Sequence, residues 1–292
     1  MRSKMWDFFS VSVDSLPDVS HVDQLTVILR YVLPSRPVEH FMTFINITSH
    51  TGEKLASYLL DFLTENGIDI SLCRGQSYDN ASNLSGKYSG IQAKIKERNV
   101  LVDYIPCAAR SLNLVCQSAV DCCVKAVSFF WICQEFYNFF SASTSHWMIL
   151  RDSLPKGCPV PKLLSGTRWS ANAEAVNAVV LGYPIILEAL ESIKDDESQK
   201  SATKKDAKIL SDAMHTLETG ILCEVWNDLL QPFSRCSLRL QSTQIDLSTA
   251  VNLIRSLGTV LPQMQDSFDE YEIQGAVRTA NHEYKSAKHH KR

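Results

Sequence analysis

Residues 9–47 read FSVSVDSLPDVSHVDQLTVILRYVLPSRPVEHFMTFINI, and the period of their apolar side chains decides the fold class. In residues 9–14 (FSVSVD) apolar and polar positions alternate, as in a strand with one buried face. Residues 24–33 (QLTVILRYVL) are rich in β-branched and aromatic side chains and predict a second strand. A turn holding Pro34, Ser35 and Pro37 separates it from a third, residues 38–47 (VEHFMTFINI). The polar break at 15–23 separates the first two. Three consecutive strands with short links predict an antiparallel meander.

Downstream the period changes. Thr51 is a residue type that caps helices, and Leu55, Tyr58, Leu59, Phe62 and Leu63 recur at helical spacing until Gly67 stops the run. Residues 68–72 read as a short apolar strand and 73–82 as a polar loop. Helical spacing returns over 90–98, a brief strand over 104–107, and a largely helical stretch over 111–140. Three strands followed by helix, strand, helix, strand, helix predict an α/β fold with a ribonuclease-H-like mixed sheet.

The second half differs in kind. PKGCPVP at 155–161 is a natural boundary, residues 171–193 read as a helix interrupted at Gly182 and Pro184, and 194–208 form the most polar stretch, a loop or helix start. Residues 209–230 and 247–264 carry helical apolar stripes. The expected organisation is a ribonuclease-H-like core over 1–150, an all-α insertion domain over 151–268, and a polar, basic, disordered tail over 269–292. There are no internal repeats.

Composition narrows the function. The 292 residues suffice for one large domain or two modest ones, and no run of about 18 apolar residues predicts a membrane span. The first residues lack the apolar stretch and small-residue cleavage site of a secretory signal. Nine cysteines, an odd number without CxxC spacing, read as reduced and mostly buried thiols. The adjacent Cys122 and Cys123 read as small packed hydrophobes rather than metal ligands. A net charge of −3 argues against a strongly basic, non-specific nucleic-acid binder, so any DNA contact must come from local patches.

The residues suited to chemistry are few. Asp14 closes the first strand and Asp79 follows the fourth, and in such a sheet those strand ends are neighbours. Two carboxylates there could share Mg²⁺ or Mn²⁺, cations that prefer oxygen ligands. A metal pair so held activates a water or 3′-hydroxyl for phosphodiester cleavage. The competing reading is that both aspartates cap turns. Asp18 and Asp23 flank Asp14 and read as turn and strand-start residues. His289 and His290, in the tail, have no geometry to hold zinc, and the tail's basic residues form at most a weak nuclear-import or nucleic-acid patch.

Three blocks in order carry a resemblance: VSVDSLPDVSHVDQLTVILRYV, GIDISLCRGQSYDNASNLSGKYSGIQAKIKE and YIPCAARSLNLV. They resemble the hAT superfamily of DNA transposases, and most of all the transposase-derived region of zinc-finger MYM-type proteins. The likeness runs from about Phe9 to Leu261 and is most specific over 76–114. It implies a ribonuclease-H-like domain interrupted by a helical insertion, with Asp14 and Asp79 as the first two members of an Asp-Asp-Glu triad. The family's Cys-x-x-His element falls on Cys107 and Arg110. Arginine cannot act as imidazole does, because it stays charged and has no acceptor nitrogen, although it could hold a phosphate. Arg168 and Trp169, in GTRWSA, match an Arg-Trp signature in which the tryptophan stacks on a displaced base. The other reading of Trp169 is a core residue at a helix start, with Ser170 as a cap.

The resemblance places the third carboxylate beyond the insertion, on a helix returning to the sheet. LQSTQIDLSTAVNLIRSLGTVL at 240–261 resembles the insertion itself, and Glu270, Glu272 and Glu283 resemble nothing in the return helix. The expectation is a domain lacking the C-terminal return segment: a catalytically inactive transposase remnant whose ancestral activity is divalent-metal-dependent DNA strand cleavage and transfer. The alternatives are a host-adopted DNA- or protein-binding module and an active nuclease using Mg²⁺ or Mn²⁺. Expected partners are DNA and a protein covering the surface left by the return segment. The expected location is nuclear, or otherwise cytoplasmic.

Overall fold

The computed structural model describes residues 6–17, 19–79, 82–166 and 168–285. The chain divides into two compact units, one formed by residues 1–112 and 240–246, the other by 113–239 and 247–292.

The first unit is built on a five-stranded sheet. The meander is β1 (Phe9–Pro17), β2 (Asp23–Leu33) and β3 (Arg36–Asn46), with β1–β2 and β2–β3 antiparallel. Helix α1 (Gly52–Glu65) follows, capped by Thr51, whose side chain accepts from the Lys54 N–H. A 3₁₀ turn (Ile70–Leu72) leads to β4 (Cys73–Tyr78), then α2 (Ser82–Ser85), α3 (Ile91–Arg98) and β5 (Asp103–Tyr104). The order across the sheet is β3-β2-β1-β4-β5, with β4 parallel to both β1 and β5. This is the α/β ribonuclease-H-like architecture expected from the sequence.

Alternation along the strands makes the core. Val11 and Val13 on β1 and Leu25, Val27, Leu29 and Tyr31 on β2 are buried together with Leu55, Leu59 and Leu63 of α1 and Ile91 and Ile95 of α3. Residues 73–78, read from the sequence as loop, are the strand, and 70–72 are the turn. The reason is that β4 lies between two partners and carries polar residues inside. Gln76 is buried, donating to the Gln92 carbonyl at 3.1 Å and accepting from the Tyr78 hydroxyl at 2.9 Å. Satisfied polar groups of this kind hide a central strand from a hydrophobicity pattern. Asn99, also buried, fixes the turn before β4 by donating to the carbonyls of Ile70 at 2.8 Å and Cys73 at 2.9 Å.

The second unit is helical. Helix α4 (Ala108–Asp121) starts in the first unit and ends in the second. It is followed by α5 (Val124–Ser141), α6 (Thr144–Ser153), α7 (Trp169–Asp195), α8 (Ser201–Met214), α9 (Leu217–Leu240), α10 (Leu247–Asp266) and α11 (Phe268–Thr279). The stretch read as one helix over 111–140 is two, bent by 107°. The bend exposes Cys122 and Cys123, against the expectation that they pack inside. Helix α7 runs through Gly182 and Pro184 without interruption. A proline inside a helix costs about 3 kcal/mol, and the burial of Val179, Tyr183, Ile186 and Leu190 offsets it. By length and apolarity α7 also qualifies as a membrane span, but half of its most apolar window is buried, as in a core helix.

Residues 269–279, expected to open a disordered tail, form most of α11 instead. Glycine carries it in. Gly275 crosses Gly220 of α9 so closely that a β-carbon on Gly275 would stand 2.5 Å from the Ile221 backbone nitrogen. Arg278 then bonds Glu224 of α9 through Nε at 2.6 Å, donates to the Val180 carbonyl of α7 at 2.7 Å, and stacks over the Tyr183 ring. The last tail residues, with His289 and His290, lie outside the described residues.

Candidate functional site

The parallel pairing of β1 and β4 ends at Val13 opposite Tyr78, so the next residues on the two strands, Asp14 and Asp79, stand side by side. Val13 and Tyr78 face the core, and the pleat turns the following residues outward. Topology alone thus brings together two carboxylates that are remote in sequence. Their charges interact. The protein around Asp14 raises its carboxyl above the ordinary value, and the Asp79 charge is the second cause. The Ser15 N–H and Arg110 act the other way without cancelling the shift.

Arg110 completes the site. Beyond β5 the chain stays beside β4, with the Ile105 N–H on the Gln76 carbonyl at 2.9 Å and the Cys107 N–H on the Tyr78 carbonyl at 3.3 Å. Helix α4 begins there, and its first turn presents Arg110, whose guanidinium lies 3.8 Å from an Asp79 carboxylate oxygen. Both side chains are partly exposed. Sequence reading singled out Arg110 as a departure from the family pattern and not as the partner of Asp79.

A folded-state carboxyl above its unfolded value works against stability once ionised. The folded chain then binds the proton more tightly than the unfolded one. Stability therefore falls as pH rises from the ordinary aspartate value through the folded one, and the penalty persists at neutral pH. Asp14→Asn is expected to raise the melting temperature slightly at pH 7, by an amount worth no more than about 1 kcal/mol given solvent screening. The gain should vanish as pH is lowered below the ordinary aspartate value. A gain that grows on acidification would contradict the assignment.

The remaining predicted residues are placed differently. Trp169 is only 4% exposed, with Phe130 edge-on at 5.2 Å and Trp226 stacked at 6.4 Å between centroids. It belongs to the core of the helical unit, the second of the two readings, and its ring is not open to a base. Arg168 is exposed at the N-cap of α7. Ser170 is not the cap, because the helix already starts at Trp169. Asn113 accepts from the Trp169 N–H at 3.3 Å, and Asn172 holds the preceding loop through Ser165 at 2.7 and 3.1 Å. Neither asparagine carried a sequence signal. Asp23 opens β2 and bonds His50 at 3.0 Å, and Asp18 lies outside the described residues. Glu270 and Glu272 sit on α11, accepting from Gln274 and Tyr284.

Residues 4–90 match the family described as DUF4371: ZMYM1/FAM200, RNase-like domain. This region of the chain is a transposase-derived, ZMYM-like RNase-like domain. It spans the whole meander, α1, β4 and both aspartates. The chain is also 22% identical over 278 residues to the human protein named 52 kDa repressor of the inhibitor of the protein kinase, covering 91% of this chain and 36% of that relative. The mouse protein of the same name is 29% identical over 108 residues, 36% of this chain and 14% of its own length. The chain therefore spans about a third or less of these curated relatives.

A fold of this ancestry implies Mg²⁺ or Mn²⁺ between the aspartates, and the charges around them do not fit it. Two carboxylates with water can complete about six oxygen ligands around such a cation, but a fixed positive charge beside them opposes it. Among the described residues no group of three or more His, Cys, Asp or Glu converges to hold a metal. Asp79 instead faces a cation, the Arg110 guanidinium at 3.8 Å.

Proposed function

We propose that this chain is an hAT-transposase-derived, ribonuclease-H-like domain that does not cleave DNA. One observation carries the reading: the RNase-like region brings Asp14 and Asp79 together at adjacent strand ends and sets an arginine against the pair, with no third acidic ligand converging on it among the described residues. Metal-dependent strand cleavage stabilises both the attacking and the leaving oxygen, which two carboxylates facing a guanidinium do not do. Descent from the hAT branch is supported by GTRWSA and by the helical unit that follows the sheet. A binding role, to DNA or to protein in the nucleus, is in keeping with a relative named as a repressor.

The test is Mn²⁺-dependent cleavage of labelled duplex DNA by the folded chain, with Asp79→Ala as control. No cleavage above background is expected from either protein. Cleavage by the natural sequence that disappears in Asp79→Ala would overturn the proposal and require a third ligand from elsewhere.

A further inference from the structure

We propose that Arg110 is the resident counter-cation of the Asp14–Asp79 pair, standing in the electrostatic place of a divalent metal and closing the pair to Mg²⁺ and Mn²⁺. This rests on the reading of the pair as the relic of a metal site.

The argument starts from the backbone. Parallel β1 and β4 force the two carboxylates together whatever else surrounds them, because the Val13–Tyr78 register fixes the next pair. Two like charges at adjacent strand ends need a cation, and the chain supplies one at a fixed place. The Cys107 N–H on Tyr78 ties the start of α4 to the end of β4, and the Ser111 hydroxyl closes the first turn onto the Cys107 carbonyl at 3.0 Å. Arg110 lies within that turn and reaches Asp79 at 3.8 Å, while its charge also acts on Asp14.

A cation in the first turn of a helix is opposed by the helix dipole, so it gains nothing there without the carboxylates. Guanidinium also suits the task chemically. It stays protonated at every accessible pH and, unlike histidine, offers no lone pair to a metal. A divalent cation approaching the pair would have to displace a tethered positive charge and then take most of its remaining ligands from water. Exclusion is therefore electrostatic and local, and one substitution should lift it.

The experiment is Mn²⁺ binding to the full chain, read by loss of the free-ion paramagnetic resonance signal and by calorimetry, for the natural sequence, Arg110→Gln, Arg110→Lys and Arg110→Gln/Asp79→Asn. The natural chain and Arg110→Lys, which keeps the charge, are expected to show no saturable site in the millimolar range. Arg110→Gln should gain a single site at least tenfold tighter, and the double variant should lose it. Should Arg110→Gln prove too unstable to fold, added Mn²⁺ or a second substitution, Asp14→Asn, should restore its melting transition.

Saturable Mn²⁺ binding by the natural chain, dependent on Asp79, would overturn the counter-cation. So would a folded Arg110→Gln that binds no tighter, or an unfolded one that neither Mn²⁺ nor Asp14→Asn rescues. Binding without DNA cleavage would sink this inference and leave the non-cleaving reading intact, whereas cleavage by the natural chain would sink that reading itself.

Discussion

Gly275→Val is expected to undock α11 from α9 and to destabilise the helical unit by about 3 kcal/mol or more, the upper range for overpacking. The added carbons would meet backbone: a β-carbon at 275 already stands 2.5 Å from the Ile221 nitrogen, and Gly220 on the facing helix is equally tight against Gly275. A side chain could swing aside, but two helix backbones in contact cannot give without separating. Separation would strip cover from Leu217, Ile221, Tyr271 and Ala276, the small apolar cluster at this crossing. Urea unfolding followed by tryptophan emission reads the loss, since Trp169 and Trp226 lie buried in this unit. A midpoint unchanged from the natural chain would mean that α11 does not dock as described.

Arg278→Ala should cost a comparable amount, about 3–5 kcal/mol, for an electrostatic reason. Arg278 and Glu224 are bonded at side-chain exposures of 21% and 12%. Truncating the arginine leaves a carboxylate poorly solvated and unpaired, orphans the Val180 carbonyl, and removes the cation from the Tyr183 face. Glu224→Gln in the same chain should recover part of the loss, because the stranded charge is then gone. If the double variant is no more stable than Arg278→Ala alone, the cost lies in lost packing rather than in charge.

How far the sequence foretold this molecule depends on how each element is buried. The meander was legible because β1 and β2 bury one face, so Val11, Val13, Leu25, Val27 and Leu29 fall on alternate positions. Strand β4 is displaced in the sequence pattern because its buried residues include Gln76, satisfied by hydrogen bonds to Gln92 and Tyr78 rather than by an apolar side chain. Helix α11 was missed because its docking depends on absent side chains: glycine reads as a breaker in one dimension and as a fitted surface in three. Asp14 and Asp79 do follow paired residues of neighbouring strands, although the strand before Asp79 lies at 73–78 and not at 68–72. The role of Arg110 was not legible, since its partner depends on where α4 begins relative to β4. Trp169 shows the limit of a motif: the residue matches, but its ring is buried against Phe130 and Trp226.

The strand order β3-β2-β1-β4-β5 also sets which pairings close short loops and which close long ones. The hairpins of the meander close short loops and can form early, whereas the β1–β4 pairing must wait for a much longer stretch of chain to be ordered. The two negative charges therefore meet late, when most of the sheet is already committed. Their repulsion falls on a long-range contact, and the arginine that answers it is delivered by the helix that follows β5.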